Sequence, residues 1–82
     1  MNQAQTIGLE IIADIAGRPA SEITPDQDLV AELGIDSPKA LRMLLDLEDR
    51  LDLEIHDEDA AKMDTVGDVL DYLRHVSVDR AD

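Results

Sequence analysis

With 82 residues, of which 44% are hydrophobic but only one is aromatic, the chain can bury one small aliphatic core, so we predict a single domain over 1–82 with an ordered part of roughly 4–76. Twenty acidic and seven basic residues give a formal net charge of −13, which disfavours nucleic acids and anionic membranes as partners. The absence of cysteine excludes disulfides, thiolate metal ligands and a cysteine nucleophile, which fits a reducing cytoplasm. No apolar run reaches the length of a membrane span, so we expect a soluble protein. We also expect it to be a monomer.

The first predicted element is a helix over 4–16, followed by a long connection over 18–36. Gly17 and Pro19 are typical of a helix end, and the connection contains a second proline and Gly34. The apolar residues of the helix recur at helical spacing, and they are Ala4, Ile7, Ile11 and Ile15. We expect three apolar side chains to hold the connection to the core, those of Ile23, Leu29 and Leu33.

A second helix is predicted from Pro38 to Leu51. Ser37 is the expected N-cap, and Pro38 suits the first helical position because its missing N–H is not needed there. Helical spacing places one stripe on the core side, consisting of Ala40, Leu44, Leu47 and Leu51 with Met43 beside them. Leu41 and Leu45 fall outside this stripe, and two exposed leucines on one helix indicate a docking surface.

The last third of the chain predicts two more helices. A short helix of about one turn is expected over 57–61, where acids occupy the first turn. Thr65 is the expected N-cap of the last long helix, whose apolar residues are Val66, Val69, Leu70, Leu73 and Val76. Residues 77–82 are expected to fray. Since no segment alternates with period two, we predict an all-α, up-and-down bundle of three main helices and one short helix, with a long first loop.

The residues of an enzyme or a metal site are not recognisable in this chain. A nucleophilic Ser37 would need a base, and the only histidines are His56, in an acidic loop, and His75, on the polar side of the last helix. The acids at 57–59 and Asp64 lack the order of a calcium-binding loop. We therefore predict no catalytic residues and no bound metal. Considered alone, Ser37 is most simply a helix cap.

Four segments resemble the acyl carrier proteins. The motif Gly34-Ile35-Asp36-Ser37 resembles the G-x-D-S attachment motif of that family, and "DQDLVAELGIDS", "LLDLEDRLDLEI" and "TVGDVLDYL" resemble its first loop, its acidic second helix and its last helix. The resemblance implies that a phosphopantetheinyl transferase (holo-acyl carrier protein synthase) attaches 4′-phosphopantetheine from coenzyme A to Ser37, and that acyl groups travel as thioesters on its thiol. Asp36 would present the serine to the transferase and its magnesium. The phosphodiester would lie against unpaired N–H groups at the helix N-terminus.

The resemblance also implies a face for partner enzymes on the second helix. Its residues would be Leu41, Arg42, Leu45, Glu48 and Asp49, and the partners would be acyl-loading, synthase and transferase enzymes with basic docking patches. Three positions depart from the family pattern, because Pro38 replaces the usual leucine and Lys39 and Arg42 make the first turns basic. Fatty acid, other lipid and polyketide pathways therefore stay open. So do a peptidyl or aminoacyl carrier and a non-covalent acidic interaction domain.

Overall fold

The computed structural model describes residues 1–76, and the predicted fraying of 77–82 lies outside the described residues. It contains four α-helices and one 3-10 turn: α1 (Gln3–Ala16), the turn (Ala20–Glu22), α2 (Ser37–Leu51), α3 (Asp57–Ala60) and α4 (Val66–Leu73). Within the described part there is no strand, only an isolated bridge between Asp28 and Thr65. The all-α prediction of three main helices and a short one is confirmed. No helix in residues 1–76 combines the length and apolar content needed to cross a bilayer.

Helix α1 begins one residue before the prediction and ends where the sequence indicated. Asn2 caps its start by accepting from the Gln5 N–H at 2.7 Å, and Gly17 ends it with a left-handed φ of 71°. Of the predicted stripe, Ala4 and Ile11 are buried, whereas Ile7 and Ile15 are only partly buried. The buried arc also includes three residues outside that stripe, Gly8, Ile12 and Ala13. It is wide because α1 packs against both α2 and α4.

The side chain of Leu73, on α4, packs directly against Gly8 of α1, so we expect an unusual effect when Gly8 is replaced by alanine. A Cβ at this position would overlap Cδ1 of Leu73, a side chain with no solvent exposure. Alanine normally stabilises a helix interior by about 1 kcal/mol relative to glycine. We expect Gly8→Ala instead to lower the free energy of unfolding by about 1–3 kcal/mol, because the overlap must be relieved inside a packed core.

Urea unfolding measures the effect of Gly8→Ala. The control is the same substitution made in a Leu73→Ala variant. When Leu73 is already alanine, the overlapping atom is gone, and adding Gly8→Ala should be neutral or stabilising. An increase in stability for Gly8→Ala in the otherwise wild-type chain would show that the two helices do not meet at this residue.

The connection between α1 and α2 is ordered by burial and by hydrogen bonds to the start of α4. The three predicted anchors are buried, namely Ile23, Leu29 and Leu33. The Leu29 N–H donates to the Asp64 carbonyl at 2.9 Å, and the N–H groups of Val66 and Gly67 donate back to carbonyls of the connection. The loop before the motif is therefore attached at several points along its length.

Thr65 caps α4 as predicted, and Asp68 completes a capping box. The Thr65 hydroxyl accepts from the Asp68 N–H at 3.1 Å, and the Asp68 carboxylate accepts from the Thr65 N–H at 3.0 Å. The helix ends at Leu73, earlier than the spacing indicated. Val76 and His75 therefore lie beyond its end, and the placement of His75 on the helix is wrong. The short helix α3 ends one residue before its predicted limit.

The Asp68 carboxylate predicts a pH-dependent contribution to stability. Its hydrogen bonds from the backbone N–H groups of Asp64 and Thr65 lower the pKa of this carboxyl below its ordinary value of 3.8. A lowered folded-state pKa stabilises the protein above the unfolded-state pKa, and the contribution is lost as the pH falls through the folded-state value. We expect Asp68→Ala to be less stable than wild type at pH 7, with the difference narrowing below about pH 4.

Urea unfolding from pH 7 to pH 3 measures the Asp68 contribution. Glu54→Ala is the matched control, because it also removes one carboxylate but from an exposed position outside these hydrogen bonds. A stability difference for Asp68→Ala that stays constant over this range would contradict the proposed charge-assisted cap.

Candidate functional site

The residue that caps the start of α2 is not the predicted one. Asp36, not Ser37, is the N-cap: its backbone is extended and its Oδ1 accepts from the Lys39 N–H at 3.2 Å. Ser37 is the first helical residue and Pro38 the second. The sequence could not separate the two cases, because aspartate and serine cap equally well and proline fits anywhere in the first turn. The Ser37 hydroxyl is therefore not needed for capping.

Ser37 lies at the surface, whereas Ile35, two residues before it, is buried. Gly34 has a left-handed φ of 68°, a conformation that favours glycine. Ile35 follows with 0% exposure, and its N–H donates to the Leu29 carbonyl at 2.8 Å. Ser37 is exposed. The inward isoleucine and the helix that starts after it together hold the serine at the surface.

Ile35 is a structural residue that the helical spacing did not identify. It stands alone in a loop, so it belongs to no periodic pattern. The available signal was its position just before the N-cap, with Ala40 four residues into the helix. A pair at these two positions forms a hydrophobic staple, which sets the angle at which the chain enters a helix.

Few backbone donors remain unpaired at the start of α2. Pro38 has no N–H, the Lys39 N–H donates to the Asp36 side chain, and the Ala40 N–H donates to the Asp36 carbonyl at 2.7 Å. Of the first four positions in the described helix, only Ser37 keeps an N–H without an acceptor. The expectation of several free N–H groups around a phosphodiester is therefore wrong. A proline at the second position and an aspartate cap remove them.

Three strongly exposed large hydrophobic side chains lie on the loop before Ser37 or on the helix that begins with it. Leu41 and Leu45 are 58% and 54% exposed, as predicted, and they lie four and eight residues after the serine on the same side of α2. Val30, on the loop before the motif, is 63% exposed. Among the described residues, the other strongly exposed large hydrophobic side chain is Met1. Val30 was missed because an isolated valine in a loop carries no pattern.

The charged residues of the predicted partner face differ in their exposure and in whether they already have a partner within the protein. Arg42 forms an ion pair with Asp46, with 3.8 Å between Nε and Oδ2; the Arg42 side chain is largely exposed and the Asp46 side chain partly exposed. Asp49 is exposed. Glu48 is partly buried, and its Oε2 accepts from the Ile55 N–H at 2.8 Å. The Glu48 carboxylate therefore also stabilises the chain turn that follows α2.

A surface cleft of about 290 Å³ lies against α3 and α4, away from the motif in sequence. Its lining includes Asp59, Lys62, Tyr72 and His75, and none of residues 34–45 contributes to it. Burial, with the nearby charges of Asp59 and Glu48, raises the pKa of the Tyr72 hydroxyl, so this group is neutral at physiological pH. Within residues 1–76, no three candidate metal-ligand side chains are grouped together.

Comparison with known proteins identifies the family. Residues 9–73 match the family model described as the phosphopantetheine attachment site. An acyl carrier protein of Exiguobacterium is 45% identical over 64 residues, covering 78% of this chain and 81% of the relative. The meromycolate extension acyl carrier protein of Mycobacterium leprae is 42% identical over 65 residues, covering 79% of this chain and 56% of the relative.

The fold agrees with this assignment. A solved structure from Mycobacterium tuberculosis, assigned as an acyl carrier protein, superposes with a TM-score of 0.77 at 34% identity, covering 87% of this chain and 95% of that one. The family model spans well over half of the 82 residues, and the Exiguobacterium relative is matched over most of its length. The chain therefore belongs to the acyl carrier proteins, which carry acyl groups on 4′-phosphopantetheine and are not themselves catalysts.

Proposed function

We propose that Ser37 is the residue to which phosphopantetheine is attached. The observation that carries the proposal is the division of roles at the start of α2: Asp36 caps the helix, and the exposed hydroxyl of Ser37 is left for chemistry. Ser37 Oγ would bond to the phosphorus nearest pantetheine in coenzyme A. The bond between the two phosphates would break, adenosine 3′,5′-bisphosphate would leave, and the serine proton would pass to a base of the transferase.

Asp36 would serve this reaction in two ways. Its Oδ1 accepts from the Lys39 N–H, which fixes the first turn of α2 and thus the position of Ser37. Its second oxygen lies on an exposed side chain, where it is accessible to the magnesium ion of a transferase. The transferase would supply the base, which accounts for a carrier in which no histidine adjoins the serine in sequence.

The proposed partner face consists of Val30, Leu41, Arg42, Leu45, Glu48 and Asp49. Its apolar members are exposed on the loop before Ser37 and on the helix that begins with it, so they are accessible to an enzyme that approaches the serine or its arm. Acidic residues follow on the same helix, and they suit basic docking patches on phosphopantetheinyl transferases, synthases and acyl-loading enzymes. We propose that the protein acts as a cytoplasmic monomer in fatty acid, lipid or polyketide synthesis. A peptidyl carrier role has no specific support in the structure.

Intact mass spectrometry tests the attachment. The apo protein is incubated with coenzyme A, magnesium and a broad-specificity phosphopantetheinyl transferase, with a known carrier in the same tube as the positive control. We expect the mass of one arm to be added and peptide mapping to place it on residue 37. An unmodified protein beside a fully modified control would overturn the proposal, as would an arm on another residue.

The partner face predicts that two leucines can be changed without unfolding the protein. Leu41→Ser with Leu45→Ser should alter the unfolding free energy by less than about 0.5 kcal/mol, because both side chains are already exposed. The same change should lower kcat/KM for modification by the transferase by about tenfold, since apolar contacts at an interface centre are lost. Steady-state kinetics and urea unfolding measure the two effects. An unchanged kcat/KM would remove these leucines from the face.

A further inference from the structure

The carboxyl end of α4 is not closed by a left-handed residue. Arg74 follows the last helical residue, Leu73, with right-handed backbone angles of φ −57° and ψ −33°. Helix α1, by contrast, ends at a left-handed glycine whose N–H donates to carbonyls of the last turn. The apolar spacing of α4 continues to Val76, so it does not end the helix at Leu73 either. Most of the last carbonyl groups of α4 therefore need hydrogen-bond donors from elsewhere.

Two side-chain amides at the start of α1 supply these donors. Asn2 Nδ2 donates to the Leu73 carbonyl at 3.3 Å and to the Arg74 carbonyl at 3.0 Å. Gln5 Nε2 donates to the Leu70 carbonyl at 2.9 Å. Three carbonyl groups at the end of α4 are thus bound by side chains that lie 65 to 72 residues away in the sequence.

The same two side chains also cap the start of α1. Asn2 Oδ1 accepts from the Gln5 N–H at 2.7 Å, and Gln5 Oε1 accepts from the Asn2 N–H at 2.9 Å. Each amide therefore accepts through its oxygen within α1 and donates through its nitrogen to α4. A carboxylate could only accept, because it carries no N–H. The arrangement thus requires amides at both positions, and an aspartate or glutamate would satisfy α1 alone.

We propose that Asn2 and Gln5 form a latch between the first turn of α1 and the last turn of α4, so that these two helix ends open and close together. The inference is independent of the attachment at Ser37. The segment that the latch holds, 70–74, includes Asp71 and Tyr72, which line the surface cleft against α3 and α4. Opening of the latch would therefore loosen one wall of that cleft together with the end of α4.

The experiment compares Asn2→Asp and Gln5→Glu with Gln3→Glu as the matched control. The first two substitutions keep the capping oxygens of α1, because aspartate caps as well as asparagine and glutamate suits the third helical position. Both remove N–H donors to α4. Gln3→Glu adds the same charge to the same turn, at an exposed residue outside the latch. An acid in this turn interacts favourably with the helix dipole, so the added charge alone should not destabilise α1.

Hydrogen exchange measures opening of the latch at the amides of Arg74 and Val76, which form the last backbone hydrogen bonds after α4 in the described part of the chain. Relative to amides in the middle of α2, we expect both to exchange about tenfold faster in Asn2→Asp than in Gln3→Glu. Gln5→Glu should show the same direction of change. Exchange at these amides that matches the control, or that rises only as much as exchange in α2, would overturn the latch.

Fluorescence of Tyr72 provides a second readout, because this residue is the single aromatic side chain of the protein and lies in the held segment. In Gln3→Glu, thermal transitions followed by Tyr72 fluorescence and by circular dichroism of the helices should coincide. In Asn2→Asp, the fluorescence transition should come about 4–8 °C earlier. Coincident transitions in Asn2→Asp would count against a separately opening end of α4 and would overturn the proposal.

Discussion

Replacing Ser37 with alanine is expected to abolish attachment of the arm while leaving the unfolding free energy within about 0.5 kcal/mol of wild type. The second half of this expectation follows from the structure. The N-cap hydrogen bond to the Lys39 N–H comes from Asp36, so the Ser37 hydroxyl contributes nothing to it. Alanine is also well tolerated inside the first turn of a helix. Intact mass and urea unfolding of the same preparation measure both quantities.

Asp36→Ala is the complementary variant, because it affects the helix cap and leaves the attachment hydroxyl in place. It keeps the hydroxyl but removes the cap, and losing an aspartate cap costs about 1 kcal/mol. We expect it to be less stable and to be modified more slowly, since the first turn and the magnesium ligand are both affected. If Ser37→Ala instead lost about 1 kcal/mol and Asp36→Ala lost nothing, serine would be the cap. Modification of Ser37→Ala would exclude this residue as the site.

Helix boundaries were predictable where the sequence carries a clear boundary signal. Gly17 ends α1, and Thr65 with Asp68 starts α4, and in both cases the local chemistry favours one residue over its neighbours. The start of α2 was harder, since Asp36 and Ser37 are both good caps and Pro38 permits either choice. The choice of cap between these two neighbouring residues decides whether the Ser37 hydroxyl forms the capping hydrogen bond or is left free of it. Sequence spacing does not resolve that difference.

The site was predictable where a residue belongs to a pattern and not where it stands alone. Leu41 and Leu45 lie on a helix whose apolar stripe is evident, so their exposure could be anticipated. Val30 and Ile35 lie in a loop, where one valine is exposed and one isoleucine is fully buried without any periodic signal. The Glu48 bond to Ile55 depends on how the chain turns after α2, which spacing along a helix does not describe.

Ile35 is expected to be the residue of the motif that matters most for stability. Its side chain has no solvent exposure, so Ile35→Ala should lower the unfolding free energy by about 2–4 kcal/mol. A domain of this size has a total of about 4–12 kcal/mol, so the loss is a large part of it. Ile35→Val should cost about 1 kcal/mol, and Val30→Ala, at an exposed position in the same loop, close to zero. Urea unfolding measures all three.

Hydrogen exchange distinguishes local from global effects of Ile35→Ala. The Ile35 N–H donates to Leu29, and the Gly34 N–H donates to Val30, so both amides report on the loop that leads to Ser37. If Ile35 anchors this loop, these amides should exchange faster in the variant by a larger factor than amides in the middle of α1, and transferase modification should slow in parallel. Uniform acceleration across the domain would show that the loop and the bundle unfold as one unit. An Ile35→Ala protein as stable as Val30→Ala would mean that the loop does not depend on this side chain.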